Sequence, residues 1–382
     1  MSVTKVKTDN IVSLDASQLS GTLPAMSGAA LTGLAGVTKN ASDPAINTNP
    51  SGGVGTLWTN TTSGEMYACK DATAGANVWL NVGEITPNKF GAIGDRGLFI
   101  QCGQSQTVTH MQYITIPTLG NSTNFGNTSV IRNGPPGSAS NGFRGVTGGG
   151  YQYSSATYRN DIDYVTLSTP GNAIDFGNLT NVRSAGAAAA NVDRAIFACG
   201  HGTTGHGDFR NEMDYITVTT TGNATDFGDA STGKTYLDGC ASETRAFYLG
   251  GYNTGYARTT VIDYVTIATT GNAGDFGDLL SGSSAEVGAC SNGTRAIGAG
   301  GSTVTDRIQY FTMGSNGNAA DFGNLSTTTA TSGCVANDTR AVMAVAGGLT
   351  GRNTEYITIA TLGDAQSFGT IGNYGEKSIS GN

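Results

Sequence analysis

Residues 262–278 read IDYVTIATTGNAGDFGD, and this stretch decides the fold because similar copies of it recur along the chain. Five further copies begin at positions 111, 162, 213, 308 and 354. Each copy has a phenylalanine twelve residues after a tyrosine. The tyrosines, spaced 46 to 51 residues apart, are Tyr113, Tyr164, Tyr215, Tyr264, Tyr310 and Tyr356. A period of this length is typical of repeats that each form one four-stranded sheet.

The quoted stretch predicts two strands joined by a tight turn. Residues 262–267 form the first strand, the glycine and asparagine in 269–272 form the turn, and residues 273–279 return as the second strand. Upstream, TRAIGAGG (294–301) and the small residues GACSN (288–292) predict two more strands in each repeat. Both faces of the tyrosine strand carry apolar residues, so we expect each sheet to pack between two neighbours and each tyrosine to be buried.

We therefore predict an all-β chain in which residues 86–382 form a six-bladed β-propeller of four-stranded antiparallel blades. The order of strand, double glycine, variable loop, tyrosine and large aromatic residue resembles the kelch repeat, with phenylalanine at the usual tryptophan position. An open stack, or solenoid, is the structural alternative and would need polar caps at its ends. Residues 88–95 resemble a first strand and residues 377–382 resemble a second copy of it, which favours a ring that closes by pairing the termini.

The composition agrees with this fold and excludes several other classes. Glycine supplies 58 of 382 residues, roughly twice the usual share, which disfavours long helices. With 13% charged and 38% hydrophobic residues, the chain is not disordered by charge repulsion. A net charge of −8 without a basic cluster predicts no nucleic-acid partner. Because no apolar stretch approaches the roughly 20 residues of a spanning helix, we expect no membrane insertion.

The cysteines predict small buried side chains. Cys240, Cys290 and Cys334 fall at nearly equivalent points of three successive repeats, where other repeats carry small residues. This placement favours packing over disulfide formation, since free cysteine behaves as a small hydrophobic residue.

Residues 1–50 predict an extended segment that needs partners. They contain leucines spaced among small residues, too rich in glycine for a monomeric core: Leu14, Leu19, Leu23, Leu31 and Leu34. The stretch DASQLSGTLPAMSGAALTGL (15–34) resembles segments of bacteriophage tail fibres and related virion proteins, which occur in intertwined, usually trimeric stalks. An interdomain linker is the alternative.

Residues 51–85 predict a small β-hairpin module with turn residues at 61–64 and with Trp58, Tyr67 and Trp79 on its strands. The string WTNTTSGEMYACKD (58–71) resembles a short module of phage fibre proteins. The two resemblances imply a bacteriophage virion structural protein, whether tail fibre, spike or decoration. Such a protein is located in the virion, made in the cytoplasm of a bacterial host, attached to other virion proteins through residues 1–85, and able to form a homo-oligomer.

The length variation of the repeat marks a candidate binding surface. The distance from a recurring arginine to the next tyrosine varies from 15 to 21 residues, and the three longest intervals are consecutive. Equivalent loops emerge on one face, and their Tyr and Arg residues are typical of binding hot spots. The predicted binding residues are Tyr151, Tyr153, Tyr158, His206, Phe209, Arg210, Tyr252, Tyr256 and Arg258. We expect them to bind a host-surface glycan or a protein partner. Alternatively, the loops only shield the blade ends.

The repeats predict no catalytic residues. An aspartate precedes the phenylalanine in four copies: Asp175, Asp226, Asp275 and Asp321. An aspartate that recurs in this way indicates a structural role, in which it accepts turn amides or pairs with the recurring arginine. An acid–base site would instead require one asymmetric arrangement of carboxylates. We therefore expect a binding protein and not an enzyme. A glycan-cleaving fibre enzyme is an alternative, as is a bacterial lectin or protein-interaction propeller outside a virion.

We also expect no cofactor and no metal. His201, His206 and Asp208 lie close together in the sequence, and two imidazoles with a carboxylate suit zinc or nickel. Their spacing matches no metal-binding signature, so the interpretation is a polar exposed loop.

Overall fold

The computed structural model describes residues 37–45, 47–62, 66–81, 95–100, 109–132, 134, 136–202, 207–281, 285–302, 305–329, 333–345 and 352–372. The chain divides into two compact units, Met1–Pro87 and Asn88–Asn382. The described residues form strands and one 3₁₀ turn, Tyr153–Ser155, so the predicted all-β class is confirmed. No helix in these ranges has the length and apolar character needed to cross a membrane.

The first unit contains one four-stranded sheet. Its strands are β1 (Val37–Asn40), β2 (Leu57–Asn60), β3 (Met66–Asp71) and β4 (Val78–Asn81). β1 is parallel to β2, and the other pairs are antiparallel. The ring centroids of Trp58 and Trp79 lie 5.9 Å apart, and the Trp58 indole donates to the Ser42 carbonyl at 2.9 Å. The predicted hairpin is thus part of a larger, four-stranded sheet. Its strand β1 comes from the segment before residue 50.

The second unit contains six antiparallel sheets that follow one another along the chain. The first sheet has β5 (Arg96–Ile100), β6 (His110–Thr115) and β7 (Thr123–Asn127). The second has β8 (Gly137–Ser140), β9 (Arg144–Gly148), β12 (Asp161–Thr166) and β13 (Ile174–Asn178), with the two-stranded β10 (Tyr151–Gln152) and β11 (Thr157–Tyr158) between β9 and β12. The third has β14 (Ala187–Ala190), β15 (Arg194–Ala198), β16 (Glu212–Thr217) and β17 (Thr225–Asp229).

The remaining three sheets repeat this arrangement. The short β18 (Lys234–Thr235) precedes the fourth sheet, which has β19 (Asp238–Ala241), β20 (Arg245–Leu249), β22 (Val261–Thr266) and β23 (Gly274–Asp278), and β18 pairs with β21 (Tyr252–Asn253). The fifth has β24 (Gly288–Ser291), β25 (Arg295–Ala299), β26 (Thr305–Thr312) and β27 (Ala320–Thr329). The sixth has β28 (Cys334–Ala336), β29 (Arg340–Ala344), β30 (Arg352–Thr358) and β31 (Gln366–Ile371).

Each sheet packs on its neighbours through a separate apolar cluster. Five clusters join consecutive sheets. A sixth cluster joins the sixth sheet to the first, where Phe99 and Ile114 pack with Val335, Val342 and Phe368. Both faces of the tyrosine strands are therefore covered, as the apolar residues on both faces predict.

The recurring arginine joins each sheet to the next one. Its guanidinium lies 4.3 to 5.0 Å from the ring centroid of the tyrosine in its own sheet. In most sheets it also donates to a carbonyl of the following sheet, as Arg144 does to Val218 at 2.8 Å. Arg340 of the sixth sheet donates in the same way to Ile116 of the first at 2.9 Å.

The predicted pairing of this arginine with the recurring aspartate is wrong. Asp175, Asp226, Asp275 and Asp321 are all exposed. Asp275 accepts a turn amide, from Gly277 at 3.0 Å, which is the other role predicted for this position. The physical reason is that cation–π contact with tyrosine and carbonyls of the next sheet already satisfy the guanidinium.

The glycine after each phenylalanine permits a close approach between sheets. Gly177 has φ 145°, and a Cβ there would collide with the carbonyl of Gly222 in the next sheet. The Gly222 N–H donates to the Phe176 carbonyl at 2.8 Å, so the two backbones lie in direct contact. A side chain at this position would separate the sheets.

Two further sequence predictions concern buried side chains. Cys240, Cys290 and Cys334 are buried and free, as predicted. The tyrosines are instead half-buried, because the arginine covers one side of each ring and leaves its edge open, as for Tyr264. The stretches predicted to pair the termini, 88–94 and 377–382, lie outside the described residues, as do the leucines predicted to need partners.

Candidate functional site

The long loops of the second, third and fourth sheets carry the candidate site. In the second sheet, Tyr151 pairs with Tyr158 in the two-stranded extension β10–β11, and Tyr153 lies in the 3₁₀ turn between them. In the third, His201 forms isolated bridges to Ser184 and to Phe209. In the fourth, β21 carries Tyr252, which pairs with Thr235 of β18. Backbone pairing therefore fixes the loops at several points.

The aromatic side chains of these loops form one continuous contact network, here called the aromatic patch. Consecutive ring centroids lie 4.6 to 6.4 Å apart, mostly in edge-to-face or tilted arrangements. In order, the patch consists of Tyr153, Tyr151, Tyr158, His201, Tyr236, Tyr252, Tyr256 and Phe209. Such pairs contribute beyond their burial. The structure thus brings together all six predicted aromatic residues of the three loops.

Two members of the patch, His201 and Tyr236, were not among the predicted binding residues. The prediction of a polar exposed loop is wrong for His201, which is buried. His201 is buried, with Nδ1 2.9 Å from the Thr235 hydroxyl, and its ring lies between Tyr158 and Tyr236. Along the chain, Tyr236 lies between the third and fourth sheets, outside the arginine-to-tyrosine interval whose length varies between repeats. Only packing joins these two residues to the patch. The sequence does contain a signal for Tyr236. The other connections between successive repeats contain no large aromatic residue before the small-residue strand.

The backbone of the patch is locally strained. Tyr236 has φ 54° and Tyr256 has φ 61°, both in the left-handed region that bulky residues rarely adopt. Tyr256 is 47% exposed and Tyr153 is 43% exposed, so large rings face solvent at both loop tips. Strain of this kind concentrates at functional sites, where the surrounding structure maintains it.

Burial holds the pKa of two phenols of the patch, Tyr236 and Tyr158, above the ordinary tyrosine value. Burial raises the pKa of Tyr236 to about 12, with smaller contributions from neighbouring phenols and from Glu286. Burial also raises the pKa of Tyr158, as do Tyr151, Tyr153 and Asp208 through charge repulsion. Both phenols therefore keep the hydroxyl proton at neutral pH and can donate as well as accept a hydrogen bond.

The predicted arginines lie beside the patch and are held by other groups. Arg210 forms ion pairs with Asp208 and Glu212, each at 3.3 Å. The guanidinium of Arg258 lies 5.9 Å from the Tyr252 ring centroid, and its Nε donates to the Ser302 hydroxyl at 2.9 Å.

No metal-binding arrangement emerges from the described part of these loops. His206 lies outside the described residues, and His201 and Asp208 belong to no group of three or more potential metal ligands there. The Asp208 carboxylate is engaged with Arg210.

Three buried ion pairs lie at the base of the long loops. They are Arg132 with Asp163 at 3.3 Å, Arg183 with Asp214 at 2.5 Å, and Lys234 with Asp263 at 2.9 Å. All six side chains are at most 3% exposed. A buried pair of this kind is weak evidence for net stability, but loss of one partner leaves a costly buried charge.

These cations also bind the backbone where each long loop rejoins its sheet. Arg132 donates to the carbonyls of Gly149 and Asp161, at the two ends of the first long loop. Arg183 donates to the Glu212 carbonyl at 3.3 Å, and Lys234 to the Val261 carbonyl at 3.5 Å. The ion pairs therefore fix the ends of the loops that carry the aromatic patch.

A β-bulge places the buried acid in each of these sheets. The register shifts between the first two residues of the repeat, as between Ile162 and Asp163, and both side chains are fully buried. Bulges of this type re-aim side chains. The sequence carries a signal for the partner: a basic residue stands seven positions after the phenylalanine in the first three repeats only, at Arg132, Arg183 and Lys234.

One further acid lies at the start of an inner strand. Asp238 begins β19, whose strand contacts β14 and β24 of the neighbouring sheets. Its carboxylate accepts the N–H of Gly239 at 2.9 Å and of Ala289 at 2.8 Å. Desolvation by burial raises the pKa of Asp238 to about 7. The equivalent positions in the second, third and fifth sheets are Gly137, Ala187 and Gly288, so these three sheets lack this carboxyl.

We expect Asp238→Ala to stabilise the protein more at pH 8 than at pH 4.5. Well below pH 4 the carboxyl is neutral in both states, and as the pH rises from about 4 toward 7 only the unfolded state ionises freely, so the wild type loses stability. Allowing for partial solvent access, the difference between the two pH values should be about 1–2 kcal/mol. Urea unfolding at both pH values measures it. Asp321→Ala, at an exposed aspartate, is the control, and an equal effect of Asp238→Ala at both pH values would contradict the assignment.

Searches for related proteins give no functional assignment, since no protein-family model and no curated protein matches this chain.

Proposed function

We propose that the six sheets of the second unit form a closed six-bladed β-propeller. Support comes from the contacts between the last and first sheets, which an open stack would lack. The Gly120 N–H donates to the Phe368 carbonyl at 3.1 Å, and the Ser122 N–H donates to the Thr370 carbonyl at 2.8 Å. The Gly372 N–H also donates to the Gln112 side chain at 2.8 Å. These bonds repeat the pattern found between consecutive sheets.

We propose that the protein is a bacteriophage virion structural protein, a tail fibre, spike or decoration, that binds a host-surface glycan through the aromatic patch. The observation that carries the binding role is the continuous patch itself, built from loops of three consecutive sheets. Exposed tyrosine rings offer apolar faces for sugar rings, while their hydroxyls hydrogen-bond to sugar hydroxyls. The resemblance of residues 15–34 and 58–71 to phage fibre segments supports the virion assignment.

We propose binding and not turnover as the activity of this surface. Two carboxylates beside the patch, those of Asp208 and Glu212, are paired with Arg210. Glycoside hydrolysis needs two carboxyl groups that flank the scissile bond, one of them protonated as the acid. A carboxylate held by an arginine is poorly suited to donate that proton.

The triple variant Tyr153→Ala, Phe209→Ala and Tyr256→Ala tests this proposal. We expect binding to host cells to fall at least roughly tenfold, because hot-spot aromatics carry most of the binding energy. The melting temperature should change little, since Tyr153 and Tyr256 are exposed and Phe209 is half-buried. Cell-binding assays and thermal unfolding measure the two effects. The control is Phe143→Ala, an exposed aromatic outside the patch. Unchanged binding by the triple variant, or release of reducing ends from host polysaccharide by the wild type, would refute the proposed activity.

Deletion of residues 1–51 tests the attachment role. We expect the truncated chain to keep the unfolding transition of the second unit but to be lost from purified particles, because attachment is assigned to the first unit. Quantitative immunoblotting of particles measures incorporation, and the full chain is the control. If the truncated chain still assembles, the attachment assignment is wrong. In that case attachment to the particle belongs to the second unit. Absence of the full chain from purified particles would instead favour a bacterial lectin or protein-interaction propeller outside a virion.

A further inference from the structure

The charges around the aromatic patch restrict the kind of ligand that it can bind. Arg159 borders the patch from the second sheet, where it pairs with Asp161 at 3.8 Å and donates to the Gln152 side chain. Arg210 borders it from the third sheet and is held between two carboxylates. A guanidinium neutralised by its own neighbours offers little to an incoming anion, because ligand binding would have to displace an existing ion pair.

Negative charge lies close to the phenols themselves. Glu286 is near enough to Tyr236, and Asp208 to Tyr158, to contribute to the raised pKa of each phenol. Around the patch, three arginines face four acids. The arginines are Arg159, Arg210 and Arg258, and the acids are Asp161, Asp208, Glu212 and Glu286. The whole chain carries a net charge of −8. An acidic polymer would therefore meet repulsion both at the patch and during approach.

The extent of the patch restricts the ligand further. Its rings come from loops of three consecutive sheets, and the exposed ones, Tyr153 and Tyr256, belong to the second and fourth. A single monosaccharide can cover one or two rings only. A ligand that uses both exposed tyrosines must therefore reach from a loop of the second sheet to a loop of the fourth, which favours an oligosaccharide over a monosaccharide.

We infer that the aromatic patch is selective for neutral oligosaccharides of several residues and discriminates against acidic polysaccharides. This inference rests on the proposed glycan-binding function and adds its ligand class. Stacking on aromatic rings and hydrogen bonds to phenols supply the attraction. The carboxylates around the patch repel uronic and sialic acid groups.

Affinity electrophoresis of the full chain tests the inference. The native gels contain neutral dextran, galactomannan or hydroxyethyl cellulose, or anionic alginate or hyaluronate. We expect at least one neutral polymer to retard the protein, with an apparent affinity at least roughly tenfold higher than for either anionic polymer. Retardation should vary little between low and high salt, because no ion pairs form with a neutral ligand. Competition with oligosaccharides should improve from the monosaccharide to the tetrasaccharide of the retarding polymer.

The variant Glu286→Asn isolates the electrostatic contribution. Glu286 has φ 58°, which asparagine tolerates well, and its backbone N–H still donates to the Tyr236 carbonyl. We expect unchanged affinity for the neutral polymer and several-fold higher affinity for alginate. Unchanged thermal unfolding verifies that the variant is folded.

The outcomes separate this inference from the proposed function. Stronger retardation by alginate or hyaluronate that disappears in the triple alanine variant would overturn the selectivity and leave glycan binding standing. Retardation by a neutral polymer that the triple alanine variant retains would overturn both. Failure of every neutral polymer to retard the protein would also overturn the inference, and cell binding by the wild type then decides the proposed function separately.

Discussion

Asp214→Ala is expected to lower the free energy of unfolding by about 3–5 kcal/mol, the usual cost of leaving one partner of a buried ion pair uncompensated. Arg183 would lose the carboxylate that its Nη2 contacts at 2.5 Å. The Thr180 N–H and hydroxyl, which donate to the same carboxylate at 3.1 and 2.7 Å, would also lose their acceptor. Chemical denaturation monitored by far-UV circular dichroism measures the loss of unfolding free energy.

The matched control is Asp226→Ala. Asp226 lies directly opposite Asp214 in the register of β16 and β17, yet its side chain is exposed. Its replacement should change the free energy of unfolding by less than about 0.5 kcal/mol, as is usual for an exposed side chain. Similar losses for the two variants would show that the buried ion pair contributes nothing specific. The double variant Arg183→Met with Asp214→Leu should recover much of the loss, because it removes both buried charges.

Phe276→Ala is expected to cost about 3–5 kcal/mol, the usual range for deletion of a buried large aromatic residue. Phe276 is buried, and its ring centroid lies 5.0 Å from those of both Phe247 and Phe311. Phe311 belongs to the next sheet, so the deletion opens a cavity between two sheets. Equilibrium unfolding in urea measures the cost.

Tyr264→Ala should cost less, about 1–3 kcal/mol, because the Tyr264 ring is only half-buried and part of its contribution is the cation–π contact with Arg245. Tyr264→Phe keeps the ring and should be nearly neutral. A loss from Tyr264→Ala as large as that from Phe276→Ala would mean that the tyrosine is buried, as the sequence alone predicts.

The sequence alone determined the all-β class, the six repeats and their strands. Turn residues and constant spacing are local properties, and six copies reveal them clearly. It also located the loops that carry most of the aromatic patch, because unequal loop length between equal strands is visible without coordinates. Buried cysteines followed from their alignment at equivalent positions in successive repeats.

The tertiary structure decided which polar residues matter. Asp214 and Asp226 are cross-strand partners. Asp214 is buried because it packs against Arg183, which lies in the connection from the preceding sheet, whereas Asp226 is exposed. Tertiary packing also brings His201 and Tyr236 into the aromatic patch. His201 follows the end of β15, and Tyr236 lies in the connection between the third and fourth sheets. A repeat pattern specifies the interactions that are alike in every copy. The contacts between different copies depend on the side chains that two neighbouring sheets bring together, and these are decided only when the sheets pack.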